Sequence, residues 1–352
     1  INTSINYYDG IEPSLPKIEV IGKKKISIWD KIEVNFKSKK RALINSIEEK
    51  FNGDETDNKN IYKLSLISIG NKLIELAKEG VQLSRIVDPE ISYIYWNLKN
   101  PVVGGMSKEK IALRRAIAMS RSIDQEIKLV RNDDAQRLHF PIPPGVVGND
   151  PQYRTSTPYS VKAANLLLDR YHYKKDASGW RTQPDGKPLV IEYMARSDSI
   201  GQQSAELWKK NFDSLNIRMV FKPMLFADLI RAQKQCDGMF GSSAWIADYP
   251  DGDNFMQNFY GPNTHMTNWS CGSIPEFDQL YRQTQQMQAG PERDALYRKM
   301  TRLLEVYMPV QISYARYRNM LAQPKIIGYK KHPILHAEWM YFDIDTNTKS
   351  NH

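Results

Sequence analysis

Asp248, Asp251 and Asp253 stand in one short loop with the spacing D-x-x-D-x-D. Trp245 and Tyr249 lie beside them, and Pro250 and Gly252 break the backbone. Carboxylates grouped in this way suit several chemistries. An aspartate at a strand end, partly desolvated by Trp245 and Tyr249, holds an ammonium through a charge-assisted hydrogen bond, and Asp248 is the candidate for that role. The competing account has Asp248 capping the turn at Pro250. Trp245 and Tyr249 are read as lining a side-chain pocket, against a plain role as core aromatics. Paired acids also cleave glycosidic bonds when one carboxyl has a raised pKa. A sequence does not display such an environment, so a hydrolase built on Asp248, Asp251 and Asp253 stands only as an alternative. The same oxygens suggest a calcium loop, but the glycine spacing and distal Glu of an EF-hand are missing, and turn formation is the reading for Asp251 and Asp253. His332 and His336 are four apart with Pro333 between them, which denies them a shared helical face and argues against a metal pair. No nucleophile elbow, P-loop or dinucleotide fingerprint is present. Catalytic residues, a metal and a cofactor are therefore not expected, nor is an enzyme.

The elements that must position this loop follow from the patterning. Residues 239–246 are an apolar run suited to a buried strand, which delivers the loop at its end. Residues 91–98 (ISYIYWNL) read as an apolar, aromatic strand. A helix is expected from Ser107 as N-cap to Met119, with Glu109 in its first turn and Ile111, Leu113, Ala116, Ile117 and Met119 facing inward. A second helix is expected at 123–130. Three prolines within 140–145 (FPIPPG) dictate an irregular segment. Further helices are expected at 71–78, 157–171, 204–215, 226–235, 277–288 and 291–307, the last with Pro291 and Glu292 in its first turn. Strands are expected at 189–194, 218–221, 310–314 and 340–344. This alternation is that of an α/β fold.

Composition sets the outer limits. The chain has 352 residues, 41% of them hydrophobic and 25% charged, with a net charge of +9. That suits about two globular domains. The basic residues are dispersed, with no cluster longer than 23–25 or 39–41, so a nucleic-acid partner is not expected. No run approaches the ~18 apolar residues of a membrane-spanning helix. The chain begins at Ile1 and lacks the charged, apolar and small-residue series of a signal peptide, so a processed or truncated start is expected. Cys236 and Cys271 fit one disulfide or two buried thiols equally well.

Several of these segments, in order, resemble the extracellular solute-binding proteins of peptide-type ABC importers (family 5). They are YIYWNLKNP (93–101) with KIALRRAIAMSRSID (110–124), PIPPGVVG (141–148), YSVKAANLLLD (159–169), WRTQPDGKPLVIEY (180–193), SAELWKKNFDSLNI with RMVFK (204–222) and AWIADYPDGDNF (244–255). The resemblance covers residues 76–345. It implies a periplasmic-binding-protein-like α/β lobe, type II, corresponding to the C-terminal lobe. It also implies capture of a small peptide or related solute, delivery to an ABC permease in the membrane, and a periplasmic location. A monomer is expected. In peptide-binding relatives the Asp of W-x-A-D-Y, here Asp248, pairs with the α-ammonium of the ligand. Members of the family carry a full first lobe before the YIYWNLKNP strand, and this chain has a short segment of different character in that place.

That segment, residues 1–75, is rich in Lys, Ile and Asn, and Arg41 is its sole arginine. Strands are expected at 25–28, 31–36 and 62–69, with a helix at 40–51, giving a small α+β module. SIWDKIEV (27–34) and LSLISIGNKLI (64–74) resemble the C-terminal ubiquitin-like domain of ubiquitin-activating enzymes. The alternative function that follows is recruitment of a ubiquitin-conjugating enzyme through residues 1–75. Residues 346–352 are expected to form a disordered tail.

Overall fold

The computed structural model describes residues 79–329, 331, 332, 334, 335 and 338–346, together with Leu76. The module expected in residues 1–75, the tail beyond 346 and His336 lie outside the described residues. Of the helix expected at 71–78, Leu76 alone is described, and it is helical. Two compact units are present. Of the described residues, the larger comprises 86–318 with 334 and 335, and the smaller takes the rest.

The larger unit is built on β2 (Glu90–Trp96), whose seven residues are all buried. It lies between β6 (Phe240–Ile246) and β7 (Val310–Ala322) and runs antiparallel to both. The order continues through β4 (Val190–Arg196) to β5 (Arg218–Met224), which are parallel to each other, and β4 is parallel to β6. On the far side β3 (Ala135–Arg137) pairs with β7, and β1 (Gln82–Val87) precedes β2 in the chain.

Successive side chains of a strand point to opposite faces, so a strand covered on both sides reads as one apolar run. Ile91, Tyr93 and Tyr95 enter one core with Phe255, Phe259, Phe277 and Tyr297. Ile94 and Trp96 enter the other with Leu113, Ile117, Leu168, Trp208, Phe212 and Phe240. Each such side chain contributes about 1.5–3 kcal/mol on full burial, enough to hold β2 centrally. Glu90 is fully buried and is matched by Arg316, whose Nε and backbone N–H donate to its carboxylate at 2.7 and 3.0 Å.

Four of the helices start where side chains cap them. Ser107 accepts from the Lys110 N–H at the head of α1 (Lys108–Met119), and Ser122 does the same for Gln125 in α2 (Ile123–Val130). The helix expected from residue 157 begins later, as α3 (Val161–Arg170), because extended Ser160 is its cap and accepts from Ala163 N–H. α4 (Ser199–Ser214) begins earlier than expected because Asp198 caps it through Gly201 N–H. α5 (Phe226–Gln235) and α8 (Pro291–Tyr307) match the sequence reading at both ends. Between them lie the short α6 (Asp253–Met256) and α7 (Pro275–Thr284). β7 runs well past residue 314, pairing with β3 beyond the end of its ladder with β2.

In the smaller unit the strand expected at 340–344 is mostly a 3-10 turn, Glu338–Tyr341. It is followed by the two-residue β9 (Asp343–Ile344), paired with β8 (Ile326–Ile327).

Arg114 departs most from the apolar stripe expected of α1. It is fully buried, and its guanidinium faces backbone carbonyls alone. Nε and Nη2 donate to Tyr307 O at 3.2 and 2.7 Å, Nε also to Met308 O at 3.1 Å, and Nη1 to Val103 O and Gly105 O at 2.8 and 2.9 Å. Burial pushes its pKa down to about 10, which leaves it charged at neutral pH. The cation sits at the carbonyl end of α8, where the helix dipole favours it. Arg114→Met keeps most of the apolar stem but strips these carbonyls of their donors. Loss of about 3 kcal/mol of stability is expected in urea unfolding, since bonds to charged groups contribute about 1.5–3 kcal/mol each. An unchanged midpoint would show that the carbonyls find other partners.

Candidate functional site

Parallel β4, β5 and β6 end at the same edge of the sheet, and in open α/β sheets ligands gather beyond such carboxyl ends. β6 finishes at Ile246, and the next residue, Ala247, is buried with its N–H bonded to Pro89 O at 2.9 Å. The acidic loop therefore leaves from a fixed point.

Asn254, only 1% exposed, organises that loop. Its Oδ1 accepts from the Trp245 indole N–H at 3.1 Å and from the Asp248 backbone N–H at 3.0 Å. Its Nδ2 donates to Asp248 Oδ2 at 3.0 Å. Trp245 is half-buried against the first core, and Asp248 is exposed. The partial desolvation of Asp248 expected from Trp245 and Tyr249 is thus not found, because the indole N–H turns to Asn254 and Tyr249 is itself 43% exposed. Asp248 makes no ion pair among the described residues.

The other two aspartates face the protein. Asp251 accepts from Arg293 Nη2 at 2.6 Å and from the Asp253 N–H at 3.1 Å, with the Tyr297 hydroxyl at 3.5 Å. Asp253 accepts from the Tyr249 hydroxyl at 3.0 Å. Burial, followed by the charge of Asp251, raises the Asp253 carboxyl above its ordinary range. Burial and the nearby Asp253 push the Tyr249 phenol up to about 12. Gly252 is required by contact: a Cβ there would lie 2.5 Å from Ile142 Cδ1 and 3.0 Å from Tyr297 Cε2. The loop is pinned from below by α8 and by the proline-rich segment. Among the described residues no cluster of three or more His, Cys, Asp or Glu is placed to hold a metal ion.

Sequence reasoning passed over Asn254 and Arg196. Arg196 is the last residue of β4, at the same sheet edge as Asp248. Its side chain is 56% exposed, meets Asp198 at 2.6 Å and lies over the Phe226 ring. A charged residue closing an apolar strand is the signal that marked it. Asn254 left no signal, since its role exists only once the loop has folded.

A disulfide joins Cys236 to Cys271, resolving the alternatives that the sequence left open. With a separation of 35 residues, it encloses β6 and the whole acidic loop. Its reduction should cost roughly 3–4 kcal/mol by loop-closure entropy. Urea unfolding with and without a dithiol reductant measures this, and coincident curves would refute a stabilising role.

Residues 55–266 match the family described as bacterial extracellular solute-binding proteins, family 5 Middle. Di/tripeptide-binding protein 2 of Pseudomonas aeruginosa is 26% identical over 247 residues, covering 66% of this chain and 42% of the relative. The structure of HbpA2 from Haemophilus parasuis superposes with a TM-score of 0.64 at 15% identity, covering 78% of this chain and 52% of the other. The periplasmic binding protein DppA from Helicobacter pylori, in complex with the peptide STSA, gives 0.60 at 19% identity, covering 74% and 48%. The chain thus spans about half the length of these relatives. The Pseudomonas and Helicobacter proteins are named as binding proteins, and the structural likenesses show a shared fold.

Proposed function

Because the chain belongs to the family 5 bacterial extracellular solute-binding proteins, we propose that it takes part in capturing short peptides, with Asp248 holding the free amine of the ligand. The observation that carries this reading is the Asp248 carboxylate itself. It stands exposed beyond the carboxyl end of β6, with Oδ2 oriented by Asn254 and Oδ1 without a partner among the described residues. A carboxylate fixed in direction but left open is suited to an incoming ammonium.

The peptide class is supported by the Pseudomonas relative, which is named for di- and tripeptides. Arg196 at the end of β4 adds a positive group on the same edge, so one sheet edge offers both signs to a zwitterionic ligand. Trp245 and Tyr249 flank the anchor as pocket walls. In this reading a second wall closes on the ligand and dehydrates Asp248, strengthening the ion pair. The protein then works in the periplasm as a monomer, handing its ligand to an ABC permease.

Isothermal titration with di- and tripeptides tests the assignment. Asp248→Asn should weaken binding by about 1.5–3 kcal/mol, the contribution of a hydrogen bond to a charged group. Acetylating the amine of the peptide should cost the parent protein a similar amount and the variant little. Equal affinities for parent and variant would falsify the role of Asp248.

A further inference from the structure

Two crossed hydrogen bonds tie Asp248 to Asp253. The hydroxyl of Tyr249, the residue after Asp248, donates to Asp253 Oδ2 at 3.0 Å. The Nδ2 of Asn254, the residue after Asp253, donates to Asp248 Oδ2 at 3.0 Å. Each carboxylate is thus held by the chain neighbour of the other, and a charge arriving at one acts on both.

Charge is unevenly met within this group. Of the three aspartates, Asp251 alone has an ion pair among the described residues, with Arg293 Nη2 at 2.6 Å. Asp251 also accepts the Asp253 N–H at 3.1 Å, which brings a second carboxylate up to a cation already engaged. Asp253 is half-buried, and the side chain that donates to it is a phenol, a donor without charge. The groups on the neighbouring elements do not make up the deficit. α8 presents Arg293, taken by Asp251, and Tyr297, whose hydroxyl stands 3.5 Å from Asp251. α7 presents the Tyr281 phenol. Asp294, which follows Arg293 in α8, acts on Arg298. Three carboxylates therefore share one arginine, and Asp253 is the one both partly desolvated and unpaired. Burial first, then the charge and hydrogen bond of Asp251, raise its carboxyl above the ordinary range, against the opposing pull of Tyr249 and Arg293.

We propose that Asp253 regulates the peptide anchor through a proton: it holds one in acidic solution, and an ammonium seated on Asp248 expels it. This inference rests on the peptide-capture reading of Asp248. The step breaks one O–H bond, leaves a carboxylate on Asp253 and passes the proton to water. Linkage is reciprocal, so the proton weakens peptide binding by the same factor as the peptide weakens proton binding. As pH falls through the Asp253 titration, negative charge is lost beside the anchor. Capture is tight in neutral solution and looser in acid.

Isothermal titration of the full chain is the test, with the tightest binder from a panel of unblocked di- and tripeptides. Runs from about pH 4.5 to about pH 7, in two buffers of different ionisation enthalpy, count the protons released on binding. Release of a fraction of a proton is expected in acid and none near neutrality, with affinity about fivefold lower at the acidic end. Asp253→Asn keeps an acceptor for the Tyr249 hydroxyl and cannot titrate. Asp248 exchanges protons with the ligand in both proteins, so the difference between their profiles isolates Asp253. Tyr249→Phe removes a donor that favours the ionised form, so proton release should move to higher pH. In the unliganded Tyr249→Phe protein the carbon-13 resonance of the Asp253 carboxyl should move with it. Both variants are checked for an unchanged circular dichroism spectrum. Identical pH profiles in parent and Asp253→Asn overturn the proposal, as does an unmoved carboxyl titration in Tyr249→Phe. Peptide binding without proton release at any pH overturns it too and leaves the role of Asp248 standing. Absence of binding by every peptide at neutral pH overturns the capture reading, and the linkage with it.

Discussion

The guanidinium of Arg114 is the fixed point from which the candidate site is held. A cation buried without a carboxylate survives only where dipoles replace water, and here they come from the spent end of α8 and from the turn at Val103 and Gly105. Through it α1 clamps the end of α8. The beginning of α8 in turn carries Arg293 and Tyr297, which grip Asp251. Asp251 bonds the backbone of Asp253, which starts the turn bearing Asn254, and Asn254 sets the direction of Asp248. A run of contacts thus leads from a charge buried on one side of the lobe to a carboxylate on another.

The same contrast sorts the other acids. Glu90 and Asp251 each face an arginine, and Glu126 faces Arg121 at 2.7 Å. These carboxylates are structural because their charge is met within the fold. Asp248 differs by having its geometry satisfied but not its charge. That division between orientation and neutralisation separates Asp248 from the acids paired within the fold.

Much of the framework was legible in the sequence. The helices at 123–130 and 291–307 coincide with their periodicity because a serine cap and a proline mark their starts, and the helix at 226–235 coincides with its periodicity without either. β2 was legible because a doubly covered strand reads as a mostly apolar run, here broken by Glu90 and Ser92. Starts were misplaced where the cap lay off the apolar pattern, as with Ser160 and Asp198. Arg114 was not legible, since one arginine of an Arg-Arg pair looks solvated until four carbonyls, two of them distant in the chain, converge on it. Asn254 and the Cys236–Cys271 bond were hidden for a related reason: each depends on residues that meet only in the folded lobe. The family resemblance supplied Asp248, but its exposure emerged from the fold alone.

The place of β2 also governs how the lobe can be assembled in time. Its residues pair with 240–246 on one side and with 310–314 on the other, so the most apolar strand of the lobe emerges long before either neighbour. Loop-closure entropy must be met before those distant ladders reward it, and such topologies fold slowly. Until β6 arrives, a strand of Ile, Tyr and Trp has both hydrogen-bonding edges open, and until β7 arrives it still has one, the condition in which chains pair with one another. The arrangement that gives the finished lobe its rigid centre therefore makes the growing chain dependent on being kept apart from its own copies.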